Sequence, residues 1–230
     1  MTWTSSAASS GHAGVLVPWA NTVVESELHR VTGASITWHY SRLVPESRTT
    51  ELDERFLTGL LDAVPGALAQ LAALPLRRVY LACTSAAFMY PALAARARGG
   101  AATELVTAFD AITAALSLTR AGRIVLFTPY PDSVTEAEAA VFRAAGIVVT
   151  AWACLGTADG YDTVTSRQIR ELLSSVGDAA VDDADALVLS CTGWPTLGLI
   201  PELQQALGKP VISSNLAIGL HARREQTSDR

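Results

Sequence analysis

The sequence predicts an α/β fold of two pseudo-symmetric lobes, each a parallel sheet flanked by helices, with an active site in the cleft between them. Three observations predict it. Short apolar runs of strand type alternate with longer stretches at helical spacing, the pattern that builds parallel sheets. The two halves repeat each other: setting Pro129 on Pro18 puts Tyr130 on Trp19, Asp132 on Asn21, Ser133 on Thr22, Glu136 on Glu25 and Glu138 on Glu27, an offset of 111 residues. Two strand-like runs, Arg78 to Cys83 and Ala186 to Cys191, each end on a cysteine followed by a threonine and a small residue. In open α/β sheets the carboxyl ends of strands are where ligands bind.

Taken in order, a polar tail to about His12 precedes a first strand, Ala13 to Trp19. Asn21 and Thr22 can cap a helix from Val23 to Arg30, with Glu25 at capping-box spacing. Ala34 to Leu43, rich in β-branched and aromatic residues, is a second strand. Thr50 to Leu74 is apolar at helical spacing, and Pro65 is expected to kink or split that helix. Arg78 to Cys83 is the third strand, and Thr84 to Glu104, with Pro91 and Gly99-Gly100, reads as a loop plus a short helix. Leu105 to Phe109 is a fourth strand, after which Asp110 can cap a helix from Ala111 to Leu118. From Arg123 the series begins again. Cys191 takes the place of Cys83 at an offset of 108, and Asn215 that of Asp110 at 105. The expected division is residues 1–109 for the first lobe and 110–209 for the second, with 210–230 returning to the first.

Composition bounds the function. The chain has 230 residues, half of them hydrophobic, enough for one large or two small domains. Lys and Arg total 17 against 22 acids and form no long run, so a nucleic-acid partner is not expected. No apolar run reaches the roughly 18 to 20 residues of a membrane span, and the first residues lack a basic region and an apolar segment. A cytoplasmic protein with no membrane partner is therefore expected. Three cysteines do not imply a disulfide framework in a chain of this size, which fits free thiols in a reducing compartment.

Cysteine is more often a small buried hydrophobe than a catalyst. The repeat argues otherwise for Cys83 and Cys191. Thr84, Ser85, Thr192 and Gly193 offer hydroxyls and backbone N–H groups to a thiolate or a substrate carboxylate, and such donors are expected to bring a thiol down from its ordinary pKa of about 8.5. Cys154 has no counterpart and reads as structural. Asn21 and Asp132 form a second quasi-symmetric pair at the cleft, and the Tyr130 phenol on the same rim is a usable donor. Trp19, Phe88, Tyr90, Tyr161 and Trp194 are candidates for a side-chain pocket. His12, His29, His39 and His221 stand in no metal-ligand spacing, and glycine-rich nucleotide loops and Gly-x-Ser-x-Gly are missing. Cofactor-free chemistry by two thiols, Cys83 and Cys191, is the reading these residues support.

The same residues carry a family resemblance. Pro18-Trp-Ala-Asn21-Thr, Ala82-Cys-Thr-Ser85, Thr128-Pro-Tyr130-Pro-Asp-Ser-Val-Thr-Glu136, Leu189-Ser-Cys191-Thr-Gly193 and Pro210-Val-Ile-Ser-Ser-Asn215 resemble motifs of the aspartate/glutamate racemase superfamily. Within it the chain looks like the branch of maleate cis-trans isomerases and arylmalonate decarboxylases, over about residues 13 to 220. The resemblance implies two α/β lobes with the site between them, a small carboxylic or dicarboxylic acid as substrate, no cofactor and a homodimer or higher homo-oligomer. It implies catalytic thiols at Cys83 and Cys191, a substrate-carboxylate amide at Asn21, a carboxylate-binding phenol at Tyr130, and the decarboxylases' hydroxyl pair at Thr84 and Ser85. Two departures stand out: the decarboxylases have glycine where this chain has Cys83, and the isomerases have a further substrate asparagine where this loop reads Gly156-Thr-Ala-Asp-Gly-Tyr161. The implied activity is isomerisation or racemisation by two cysteines. The alternative is decarboxylation with Cys191 alone protonating an enediolate, and a small-acid binding protein without turnover is the third reading.

Overall fold

The computed structural model describes residues 11–99 and 103–228. Its first sheet is built from β1 (Gly11–Pro18), β2 (Ile36–Leu43), β3 (Arg78–Leu81) and β4 (Glu104–Thr107) in the order β2-β1-β3-β4, all parallel. The second sheet, β5 (Arg123–Thr128), β6 (Val148–Cys154), β7 (Ala186–Leu189) and β8 (Val211–Ser213), has the corresponding order β6-β5-β7-β8. The duplicated topology is what the sequence repeat requires. Central strands such as β7 are buried at every residue because helices cover both faces. Of the expected polar tail, residues 1–10 lie outside the described residues, as does Gly100; His12 already belongs to β1.

Several local expectations change in the structure. Asn21 alone caps α1 (Val24–Thr32), its Oδ1 accepting from Val23 N at 2.9 Å and Val24 N at 3.1 Å. Glu25 pairs with Arg42 instead of closing a capping box. Pro65 neither splits nor ends α2 (Glu54–Leu71), because it lies on the exposed side, where water can take up the freed carbonyl. The stretch after Cys83 is two helices, α3 (Thr84–Met89) and α4 (Pro91–Gly99). Strand β4 stops at Thr107, which is the N-cap of α5 (Ala108–Thr119), so Asp110 is the reciprocal capping-box residue three positions in. The second half of the chain continues with α6 (Asp132–Ala144), α7 (Ser166–Ser174), α8 (Asp178–Asp182), α9 (Ile200–Leu207) and α10 (Ser214–Ser228).

The lobes share a core. One buried cluster takes Val15, Val17 and Leu28 from the first lobe, Ile124, Leu126 and Val188 from the second, and Ile112, Leu116 and Ile218 from α5 and α10. Helix α10 packs on both α1 and α5, and Phe109 of α5 meets Phe142 of α6 with ring centroids 4.7 Å apart. The crossing back to the first lobe was expected at residue 210. Strand β8 there is short but fully buried and lies beside β7 in the second sheet, and α10 after it packs on α1 of the first lobe. No helix among the described residues is long and apolar enough to cross a membrane.

Candidate active site

Each cysteine lies two residues beyond the end of a central strand, Cys83 after β3 and Cys191 after β7. The residue between continues the parallel ladder by one bond: Ala82 N donates to Leu16 O at 2.9 Å, and Ser190 N to Phe127 O at 2.8 Å. Both sulfurs are thus held at the carboxyl edge of a sheet by main-chain geometry. Cys83 is 5 % exposed and Cys191 4 %. They line one cavity of about 300 Å³, together with Asn21, Thr84, Ser85, Tyr130, Thr192 and Gly193. The two thiols and the six residues expected to bind the substrate around them all meet there.

Their hydrogen bonds sort them by what they can still offer a ligand. The Oδ1 of Asn21 is held by the start of α1, which turns its amide nitrogen to the cavity; one of its hydrogens goes to Thr192 Oγ1 at 3.3 Å. Thr192 Oγ1 donates to Ala82 O at 2.7 Å, across the lobe boundary. Its hydroxyl is therefore a tie between lobes, leaving its backbone N–H for the ligand. Thr84 Oγ1 lies 3.2 Å from Ser214 Oγ, a tie in the opposite sense. Ser85 Oγ is 3.6 Å from Cys83 Sγ. The buried Tyr130 hydroxyl faces Cys191, and its ring meets Tyr161 edge-on with centroids 5.5 Å apart. A Cβ on Gly193 would sit 3.6 Å from Asn21 Nδ2 and 3.5 Å from Tyr161 Cβ, inside the space a ligand needs.

Burial reverses one expectation: the surrounding donors do not bring the thiols down. Desolvation pushes Cys83 up, against the Ala86 N–H and the Ser85 hydroxyl. It pushes Cys191 up to about 12, with the negative charges that Cys83 and Glu138 can carry adding to the effect. The Tyr130 hydroxyl and the Gly193 N–H only partly offset this. Among the lining residues there is no Lys, Arg or His, and the charged ones are Asp159 and Asp162. Burial thus favours the protonated form of both thiols.

Other expectations change as well. Asp132 is not in the lining; its Oδ1 accepts from Cys154 Sγ at 2.9 Å, and both lie outside the cavity. The pair Asn21/Asp132 is therefore not symmetric in use, since the second helix is entered through Pro131 and needs no amide there. Asn215 is not a helix cap like its counterpart: its Nδ2 donates to Glu27 Oε2 at 2.8 Å and Thr192 O at 3.0 Å. Of the five candidate pocket aromatics only Tyr161 lines the cavity. Trp194 and Phe88 are core, and Trp19 turns its Nε1 to Thr49 O. Sequence reasoning missed the rim, Thr50, Leu52 and Phe56 from the segment before and in α2, and Asp159 and Asp162 after β6. The rim segments follow β2 and β6, so the strand-end rule could have found them. They meet through Leu52 N to Ala158 O at 2.7 Å, and Thr22 Oγ1 donates to Asp162 Oδ2 at 2.9 Å beside them. Among the described residues no three His, Cys, Asp or Glu side chains are placed to hold a metal.

A family model described as arylmalonate decarboxylase matches residues 14–229. The chain belongs to the arylmalonate decarboxylase family. Maleate isomerase from Nocardia farcinica is 26 % identical over 225 residues, covering 89 % of this chain and 85 % of that protein. Arylmalonate decarboxylase from Bordetella bronchiseptica is 36 % identical over a shorter stretch of 97 residues, 41 % of this chain and 40 % of its own. A solved structure of the Nocardia farcinica maleate cis-trans isomerase, a cysteine-to-serine mutant with a covalently bound succinylcysteine intermediate, superposes with a TM-score of 0.82 at 23 % identity, covering 94 % of this chain and 93 % of that one. The last likeness is one of fold, and it extends over both lobes.

Proposed function

We propose that this family member is a cofactor-independent isomerase that moves a small unsaturated dicarboxylate of the maleate type between cis and trans forms, with Cys83 and Cys191 as its two catalytic groups. The observation that carries this reading is the pair of buried thiols, one from each lobe, at a single cavity lined by hydroxyls and amide N–H groups. Cys83, once ionised, adds its sulfur electron pair to one alkene carbon. The displaced π electrons pass to the neighbouring carboxylate as an enediolate, held by Tyr130, Thr84, Ser85, the free Asn21 N–H and nearby backbone N–H groups. Cys191 delivers its proton to the second carbon, leaving a saturated thioether whose central bond rotates. Return of that proton to Cys191 expels the Cys83 thiolate and leaves the trans alkene. Each bond made is later broken, so the two thiols balance the reaction themselves. The succinylcysteine intermediate of the Nocardia farcinica isomerase is the adduct this route forms from maleate. On the family resemblance, the working form is a homodimer or higher homo-oligomer in the cytoplasm.

Cys191 with Tyr130 and Gly193 beside it also supports a second reading, single-thiol protonation after loss of carbon dioxide from a malonate-type acid. Proton NMR in deuterium oxide separates the two. Maleate is expected to become fumarate, and Cys83→Ser and Cys191→Ser are each expected to lower the rate by about a hundredfold or more while the circular dichroism spectrum is kept. Release of carbon dioxide from an arylmalonate that survives Cys83→Ser would replace the isomerase reading with the decarboxylase one.

A further inference from the structure

Behind Cys191, on the side away from the cavity, lies a carboxyl group that the chemistry above does not use. Glu138 of α6 is fully buried, and its Oε1 shares a short hydrogen bond with the hydroxyl of Ser190, the residue before Cys191. Its Oε2 is equally buried and has no partner. The counterpart at the same place in the repeat, Glu27, is surrounded differently: its Oε1 accepts from Leu197 N and its Oε2 from Asn215 Nδ2, both at 2.8 Å. Two N–H donors suit a carboxylate. A fully buried acid with one oxygen unpartnered suits the neutral form, because an orphaned carboxylate oxygen is far costlier to bury than a carbonyl oxygen.

We propose that Glu138 is a positioning residue, an uncharged carboxylic acid that grips Ser190 and so seats Cys191, the thiol that gives and takes the substrate's proton; this rests on the isomerase reading. Ser190 Oγ donates to Oε1, and in the neutral acid neither oxygen carries a charge that needs a further partner. Ser190 is fixed from its other side by its N–H to Phe127 O, so the strand end that carries Cys191 is clamped at main chain and side chain. The ionisable groups that face Glu138 from the second-lobe strand ends are Cys191 and Tyr130. Helix α3, packed on α6, brings no ionisable side chain; β5 has Arg123 only at its far end, and β6 brings Cys154, engaged by Asp132. Among the described residues no cation is placed there to compensate a charge. Burial raises Glu138 to about 8, in line with the geometry. Ionised, it would set a negative charge against the enediolate and make Cys191 a poorer proton donor.

The test pairs an infrared titration of the full chain with the pH profile of maleate turnover, in the native protein and in Glu138→Gln. The native protein is expected to show a protonated-carboxyl band at neutral pH that titrates away near pH 8 and is missing from the Gln variant. Native kcat is expected to fall on the alkaline side, whereas the variant's profile rises to a plateau; a merely structural Glu138 would leave both profiles alike. A native protein without that band, or a variant that keeps the alkaline fall, overturns the assignment. A band in place in a protein that turns over no small acid overturns the isomerase reading instead. Should Glu138→Gln fail to fold, Ser190→Ala serves: the band is expected to shift as the acid loses its partner, with kcat down severalfold and KM held, and an unchanged kcat overturns the proposal.

Discussion

Glu27 and Glu138 occupy equivalent places in the repeat, yet one is held by N–H donors at the lobe boundary and the other is sealed against a serine. The difference has a consequence for stability. Between the ordinary carboxyl value of 4.5 and about 8, the folded protein keeps the Glu138 proton while the unfolded chain has lost it. Stability from this group is therefore fully present below pH 4.5 and drains away as pH rises toward 8, at about 1.4 kcal/mol per pH unit at most. Glu138→Gln lacks that slope, so its melting temperature is expected to gain on the native protein's steadily from pH 5 to pH 8 in parallel calorimetry. The exposed rim acids act on binding instead. Asp159→Asn with Asp162→Asn is expected to lower KM for a dianionic substrate severalfold at low salt, an effect that fades as salt screens it. Glu138 was visible in the sequence as a repeat position; that it is buried beside Ser190, 52 residues away, was not.

At the level of elements, the strands that carry the cysteines were legible because apolar runs with abrupt polar ends leave little choice of structure. Helix ends were less so. The start of α5 rests on Thr107 and Asp110 satisfying each other's backbone N–H groups, a reciprocity that a lone Asp in a sequence does not reveal. The prolines played unequal parts: Pro65 was expected to kink or split a helix and sits on its exposed side without ending it, while Pro91 opens the second of two helices where a loop plus a short helix was expected. Asn21 is the element-level residue with most at stake, since it both caps α1 and reaches Thr192. Asn21→Ala is expected to cost about 0.5–2 kcal/mol in chemical denaturation, and to raise KM as well. Asn21→Asp keeps the cap acceptor but loses the amide donor, so it is expected to recover most of the stability while KM stays high.

For the whole molecule, the repeat made two lobes legible but not how they are joined. Their ties run between residues distant in the chain, such as Thr192 with Ala82 and Thr84 with Ser214. No spacing rule reaches that far. The shared core makes one folding unit of the two lobes: denaturation followed by tryptophan fluorescence and by far-ultraviolet circular dichroism is expected to give coincident single transitions. Resolved steps would mean that the lobes melt separately. The crossed threonines also govern how a guest gets in. Because the residue after each cysteine is bonded to the opposite lobe, swinging the halves apart would pull both sulfurs off station. The mouth is crossed by two further bonds, Leu52 N to Ala158 O and Thr22 Oγ1 to Asp162 Oδ2, the second of them open to water. A guest is therefore expected to enter by parting the water-exposed lips, with the root of the chamber left as it stands.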